Sequence, residues 1–194
     1  MTDNKIIASR LEALREEMRR EHLSAFIFPS SDPHMSEYVP SRWEGRKWIS
    51  GFDGSAGTAV VTLHSAALWT DSRYFIAAEQ QLAGTGFQLM RERLDDTPTI
   101  PEWIAQETKD GDSTEVGVDG MCMALSEVED MKAELKLLGG LTMRTNLDIL
   151  ERVWTDRPSV PSDKLNIQPM EYAGEACSDK LDRIRHKLLR QGAS

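Results

Sequence analysis

The apolar residues of this chain recur at two spacings, one typical of helices and one typical of buried strands. Over residues 4–21 they fall three or four positions apart, which predicts an amphipathic helix with one buried stripe. The unbroken apolar run at residues 25–28 predicts a strand that is buried on both faces. The polar stretch that follows, residues 29–45, contains prolines and predicts a loop or a broken helix. The helical stripe comprises Ile7, Leu11, Leu14 and Met18.

Strands and helices then continue in alternation. Residues 58–63 and 66–69 predict two strands whose connection is too short for a crossover, so they form a hairpin. Asp71 is placed to cap the helix that follows. The apolar face of that helix comprises Tyr74, Phe75, Ala78 and Leu82. Residues 87–91 predict a further strand.

The second half of the chain repeats this alternation. Thr99 and Glu102 have the spacing of a capping box, and so have Ser126 and Glu129, each pair at the start of a predicted helix. The remaining predicted elements are strands at residues 115–118 and 141–144 and a helix at residues 147–153. Together the elements predict an α/β fold with a mixed β-sheet flanked by helices, because the hairpin makes the sheet partly antiparallel.

Two prolines, Pro158 and Pro161, follow these elements and predict an extended linker. We therefore expect one domain at residues 1–153, and at residues 154–194 the linker and the first helix of a second domain. That helix carries Leu181, Ile184 and Leu188 on one side. Because the chain stops shortly afterwards, the helix either opens a domain whose remainder is absent or docks back onto the first domain.

Composition narrows the class of protein. The chain has 194 residues and a net charge of -9, so it lacks the excess of lysine and arginine that binding to nucleic-acid phosphates requires. No apolar run reaches the length of a membrane span, and the first residues lack the pattern of a secretion signal. Cys122 and Cys177 lie far apart, which favours reduced thiols in a cytoplasmic protein over a disulfide.

Few residues are candidates for chemistry within the chain itself. His34 lies close to Asp32 and Glu37 in the sequence, and the three form either a metal site or a loop held by hydrogen bonds. The glycine-rich run at residues 51–57 superficially suggests a nucleophile turn or a phosphate cradle. It lacks the spacing of either and fits a turn that leads into the next strand. Trp43 lies among charged residues, where an exposed ring would indicate an interface and a buried ring the core.

Three runs of the sequence carry a family resemblance. They read DPHMSEYVP at residues 32–40, WISGFDGSAGTAVV at 48–61 and LWTDSRYF at 68–75. Together they resemble the amino-terminal domain of the Xaa-Pro aminopeptidases (aminopeptidase P), relatives of creatinase and prolidase. Residues 153–158 and the helix near residues 180–188 are similar to the connector and first helix of the middle domain in the three-domain members.

The resemblance implies a creatinase/prolidase N-terminal fold, of the ribonuclease H-like type, without catalytic residues of its own. The family's chemistry belongs to a carboxy-terminal "pita-bread" domain that holds two divalent metals, usually manganese, on two Asp, one His and two Glu. This chain contains no match to that ligand set, so we expect no metal or cofactor in it. The implied partners are the missing domains of the same chain, proline-containing peptides and a second copy in a homodimer.

The resemblance also implies which residues face the substrate or an interface. These are His34, Tyr38, Arg46, Asp53, Ser55 and Arg73. For Arg73, local pairing with Asp71 is the alternative. The implied function is a cytoplasmic domain that limits access to the active site of a metal-dependent Xaa-Pro aminopeptidase. Two alternatives remain: an interaction or oligomerisation module with no link to a peptidase, and a hydrolase that uses the cluster at residues 32–37.

Overall fold

The structure is a computed structural model that describes residues 4–193. Its chain divides into two compact units, residues 1–160 and residues 161–194, and each is described by itself. The predicted domain boundary after residue 153 stays a prediction. No helix formed by residues 4–193 combines the length and the apolar character that crossing a membrane requires.

A mixed β-sheet forms the centre of the first unit. Its strands are β1 (Leu23–Phe28), β2 (Thr58–Thr62), β3 (Ala66–Thr70), β4 (Gln88–Arg91), β5 (Glu115–Val118) and β6 (Thr142–Arg144). They are ordered β4-β3-β2-β1-β5-β6 across the sheet. The β1–β2 and β2–β3 pairs are antiparallel, whereas β1–β5, β3–β4 and β5–β6 are parallel. The prediction of a mixed sheet is thus confirmed.

Helices cover both faces of this sheet. In chain order they are α1 (Asn4–Arg20), α2 (Gly45–Ser50), α3 (Phe75–Leu82), α4 (Ile100–Thr108), α5 (Leu125–Gly139) and α6 (Leu150–Val153). Because side chains of a strand alternate between its faces, β1 sends Phe26 and Phe28 into one core and Ala25 and Ile27 into the other. The first core is closed by α1, α2, α3 and α6, and the second by α4 and α5.

The predicted stripe of α1 is buried as expected. Ile7, Leu11, Leu14 and Met18 are each at most 5% exposed. Burial of such a stripe, at roughly 25 cal/mol per Å² of apolar surface, holds the helix on the sheet.

Cys122 and Cys177 are both free thiols, and Cys122 is buried.

Helix starts were predicted with mixed success. The capping box of Thr99 and Glu102 is present at α4 and is confirmed. The box at Ser126 is wrong, because α5 begins at Leu125 with Ala124 as its N-cap, and the Glu127 carboxylate accepts a hydrogen bond from the Ala124 N–H at 3.2 Å. Asp71 does not cap α3, which begins only at Phe75. Helix α2 begins at Gly45, the last residue of the predicted loop at residues 29–45, and was not predicted.

The second unit contains two helices, α7 (Met170–Ala173) and α8 (Cys177–Arg190). Within the unit, Arg183 at the middle of α8 pairs with Glu175 at 2.9 Å. The apolar side of α8 predicted from the sequence, at Leu181, Ile184 and Leu188, is about half exposed. Both interpretations of this helix therefore stay open.

Glycine 57 offers a test of the turn that leads into β2. Its φ is +146°, and a Cβ there would lie 2.5 Å from the Trp69 carbonyl oxygen. We expect Gly57→Ala to lower the free energy of unfolding by more than about 2 kcal/mol, since it adds a clash with backbone to an unfavourable φ. Urea unfolding of the purified chain measures this.

Gly140→Ala is the matched control for that substitution. Gly140 also has a positive φ, +64°, but no heavy atom lies within 4 Å of its would-be Cβ. Its loss should be about 1 kcal/mol, the cost of the left-handed conformation alone. Equal losses for the two variants would contradict the predicted clash.

Candidate functional site

A cleft lies where the chain leaves β1, next to the start of β2. Register places Phe28 opposite Ala59, so the residues after β1 adjoin those before β2. The cleft has a volume of about 190 Å³. Short segments line it: residues 29–30, 37–39, 43–44, 46–47 and 53–55.

The structure brings together four of the six predicted site residues. Tyr38, Arg46, Asp53 and Ser55 line this cleft, whereas His34 and Arg73 do not. Tyr38 is 84% exposed. A mostly exposed ring beside charged side chains is able to contact a ligand without first leaving a core.

Arg46 is the buried member of the group. Its guanidinium donates to the carbonyl oxygen of Phe52 at 3.3 Å and to that of Gly54, and its Cζ lies 4.9 Å from the centroid of the Phe52 ring. Burial lowers the pKa of Arg46 to about 10, although the carboxylates of Glu44 and Asp53 oppose this. The residue is thus charged at neutral pH, and its donors hold the backbone of the loop at residues 52–55.

Asp53 and Ser55 are carried by that loop and are exposed. Gln81 of α3 braces Asp53 twice: its Oε1 accepts from the Asp53 N–H at 3.0 Å, and its Nε2 donates to Asp53 Oδ1 at 2.7 Å. The hydroxyl of Ser55 lies 2.6 Å from that of Tyr74, whose ring meets the Phe52 ring edge to face at 6.0 Å. The loop therefore presents both side chains from fixed backbone positions.

Arg73 is engaged with a neighbour along the chain. Its Nε and Nη2 donate to the two carboxylate oxygens of Asp71 at 2.9 and 2.7 Å, and both side chains lie at the surface. These hydrogen bonds and the arginine charge lower the pKa of Asp71 to about 2. The local pairing considered from the sequence is therefore present.

His34 belongs to a turn that Asp32 organises. Asp32 is 1% exposed, and its Oδ1 accepts hydrogen bonds from the backbone N–H groups of His34 at 2.7 Å and Ser36 at 3.3 Å. Burial raises the pKa of Asp32, but these hydrogen bonds outweigh it and leave the pKa below its usual value. His34 and Glu37 are exposed.

A metal centre does not fit these side chains. Within residues 4–193, no group of three or more His, Cys, Asp or Glu side chains is arranged to hold a metal ion. Of the two interpretations of residues 32–37, the hydrogen-bonded loop is the one with observed contacts.

Two features of the cleft were missed from the sequence. The first is α2, a short helix that carries Arg46 and whose Lys47 pairs with Glu44 at 3.1 Å. The second is the brace from Gln81, which lies 28 residues from Asp53 and has no local signal. Trp43 is partly buried and lines the cleft. Its ring is thus neither fully exposed at an interface nor fully buried in the core.

Comparison with known proteins gives a family match. Residues 10–145 match the Creatinase/Prolidase N-terminal domain family. The chain is 38% identical over 180 residues to "Probable Xaa-Pro aminopeptidase P" of Pyrenophora teres f. teres, covering 92% of this chain and 27% of the relative. It is 40% identical over 177 residues to "Xaa-Pro aminopeptidase 2" of Rattus norvegicus, covering 91% and 26%. The chain thus spans about a quarter of the length of these curated relatives.

A solved structure resembles almost the whole chain. The X-prolyl aminopeptidase from Caenorhabditis elegans, described as a cytosolic enzyme with a di-nuclear active site, matches with a TM-score of 0.79 at 29% identity. The match covers 96% of this chain and 31% of that protein.

The Asp32 turn has a pH-dependent consequence. Because its pKa is lower in the folded than in the unfolded state, ionised Asp32 stabilises the fold above the ordinary aspartate pKa, and this contribution is lost as the pH falls through the folded-state pKa. We expect Asp32→Asn to cost about 1–3 kcal/mol of unfolding free energy at pH 7, and less below about pH 4.

Chemical unfolding at a series of pH values measures that difference. The exposed Asp96→Asn variant is the control and should match the wild type at every pH. A loss in Asp32→Asn that stays constant down to pH 3 would show that the charge of Asp32 is not what holds the turn.

Proposed function

This chain belongs to the Creatinase/Prolidase N-terminal domain family, and we propose that it is the non-catalytic amino-terminal domain of a metal-dependent Xaa-Pro aminopeptidase. In this proposal the parent protein cleaves the first residue from peptides that have proline second. The domain forms part of the wall that admits those peptides and takes part in subunit contacts.

The observation that carries the proposal is the pattern of coverage. Over nine-tenths of this chain aligns with about a quarter of relatives named as Xaa-Pro aminopeptidases. Residues 4–193 hold no group of three or more side chains arranged to bind a metal, which supports assigning the proposed hydrolysis to other parts of the protein. The di-nuclear site named for the nematode enzyme supports two divalent metals there, which we propose are manganese.

The cleft supports a role in substrate access. A binding site of this kind needs a few polar groups in fixed positions beside apolar surface. Arg46 and Gln81 both form hydrogen bonds to the loop at residues 52–55, while Asp53 remains exposed. A fixed carboxylate in the same cleft as the exposed Tyr38 ring suits the free amino end of a short peptide.

The setting of the protein is part of the same proposal. The nematode enzyme is described as cytosolic, and this supports a cytoplasmic location for the present protein. The partners we propose are the further domains of the same protein, peptides with proline second and a second copy in a homodimer.

Hydrolysis of an Xaa-Pro-Xaa peptide tests whether this chain or the downstream domains carry the catalytic activity. With added manganese, we expect no turnover by this purified chain and turnover by a longer protein that carries the downstream domains. Metal-dependent turnover by the chain itself would overturn the proposal and favour a hydrolase at residues 32–37. No turnover by either protein would favour an interaction module instead.

The role of Asp53 is tested in the longer protein. If its carboxylate binds the peptide amino group, Asp53→Ala should raise KM roughly fivefold to tenfold, since one exposed charge-assisted contact is worth about 1 kcal/mol. Steady-state kinetics with a tripeptide measures the change.

Gln81→Ala is the matched control for Asp53. It removes both hydrogen bonds between Gln81 and residue 53, including the one to Oδ1 that Asp53→Ala also loses, and it keeps the carboxylate. If the two variants raise KM equally, Asp53 acts only by holding the loop. Unchanged kinetics in Asp53→Ala would remove the residue from the cleft's function.

A further inference from the structure

The segment after α6 is attached to the first unit, although its sequence predicts a linker. Residues 154–158 lie between α6 and the exposed stretch at 159–169. We propose that Trp154 and Arg157 close a clamp on Trp48 and Arg42, and that this clamp fixes the point at which the chain leaves the first unit. The inference concerns this chain alone and does not depend on the proposed activity.

The aromatic half of the clamp is a stacked pair. The rings of Trp154 and Trp48 lie 5.2 Å apart between centroids, with an angle of 19° between their planes. Trp48 belongs to α2 and is itself held by Arg10, which lies 4.7 Å from its ring and donates to its carbonyl oxygen at 2.6 Å. Stacked aromatic pairs stabilise a structure beyond the area that they bury, and this stabilisation opposes release of the segment.

The polar half of the clamp is a reciprocal pair of arginines. Arg157 donates through Nε to the carbonyl oxygen of Arg42 at 2.9 Å, and Arg42 donates through Nη1 to the carbonyl oxygen of Pro158 at 2.9 Å. Each side chain thereby holds the backbone of the other's segment. The two segments are 115 residues apart in sequence, so these bonds act as a cross-link.

Carboxylates near α6 complete the polar half. Arg157 Nη1 lies 2.6 Å from Asp148 Oδ2 and 3.4 Å from Glu151 Oε1, and Arg42 also pairs with Glu151. The Arg157 side chain is only 4% exposed. Removing this guanidinium is costly because Asp148, whose side chain is 29% exposed, then loses its counter-charge.

The contacts stop abruptly after Pro158. Residues 159–169 are all exposed and form no helix or strand, and Leu165 is 99% exposed. Backbone amides of Trp154 and Arg157 are hydrogen-bonded, to Leu150 and Trp154 carbonyl oxygens at 2.9 and 3.1 Å. We therefore place the beginning of free chain at Ser159, after the clamp rather than before it.

Brief digestion with chymotrypsin under native conditions shows whether the free chain begins before residue 154 or after residue 158. The protease cuts after large apolar residues, and both Trp154 and Leu165 are candidates. In the wild-type chain we expect cleavage after Leu165 and none after Trp154 on the same time scale, because cleavage follows local opening. Mass spectrometry of the products identifies each site.

Arg157→Ala tests the polar half of the clamp. Cleavage after Trp154 should then become at least about tenfold faster, while cleavage after Leu165 is unchanged. Arg183→Ala, which breaks the exposed pair with Glu175 in the second unit, is the matched control and should leave the Trp154 site protected.

Hydrogen exchange provides a second measurement that does not require cleavage. Amides of residues 150–157 should exchange more slowly than those of 159–169 in the wild type, and Trp48→Leu should speed their exchange while β1 remains protected. Equal rates across the two segments in the wild type would overturn the proposal, as would unchanged protection in both Arg157→Ala and Trp48→Leu.

Discussion

Strand β1 is buried on both faces and lies between an antiparallel partner, β2, and a parallel one, β5. This placement determines where the loops of the first unit meet. Since β2 runs against β1, the chain that leaves β1 at Pro29 lies beside the chain that enters β2 at Gly57. The cleft exists because two loops that are separated in sequence are brought together by this pairing.

The three sequence runs that carry the family resemblance form one neighbourhood for the same reason. Residues 32–40 supply Tyr38 to the cleft, and residues 48–61 supply the loop with Asp53 and Ser55. Residues 68–75 supply Tyr74, which contacts Ser55 and the Phe52 ring. The residues that make this sequence similar to its family therefore lie close together in the folded chain.

Local patterns predicted the elements, whereas the detailed site depends on contacts between distant segments. The stripe of α1 and the capping box at Thr99 follow from spacing alone, and both are present. At α5 the same reasoning failed because Glu127 and Glu129 each stand three residues after a possible first residue, and spacing does not choose between them. The engagement of Arg46 with a loop, and of Gln81 with Asp53, depends on tertiary packing that no local pattern encodes.

The clamp shows how a local signal and side-chain chemistry can disagree. Pro158 and Pro161 limit helix formation, and residues 159–169 form neither helix nor strand. The prolines do not indicate whether the segment packs on the first unit, because that depends on the side chains just before them. A tryptophan and an arginine three positions apart offer a large ring and a fork of donors, both of which gain most when they are buried against partners. A segment with such side chains is able to belong to the domain that it leaves, and here residues 154–158 belong to the first unit.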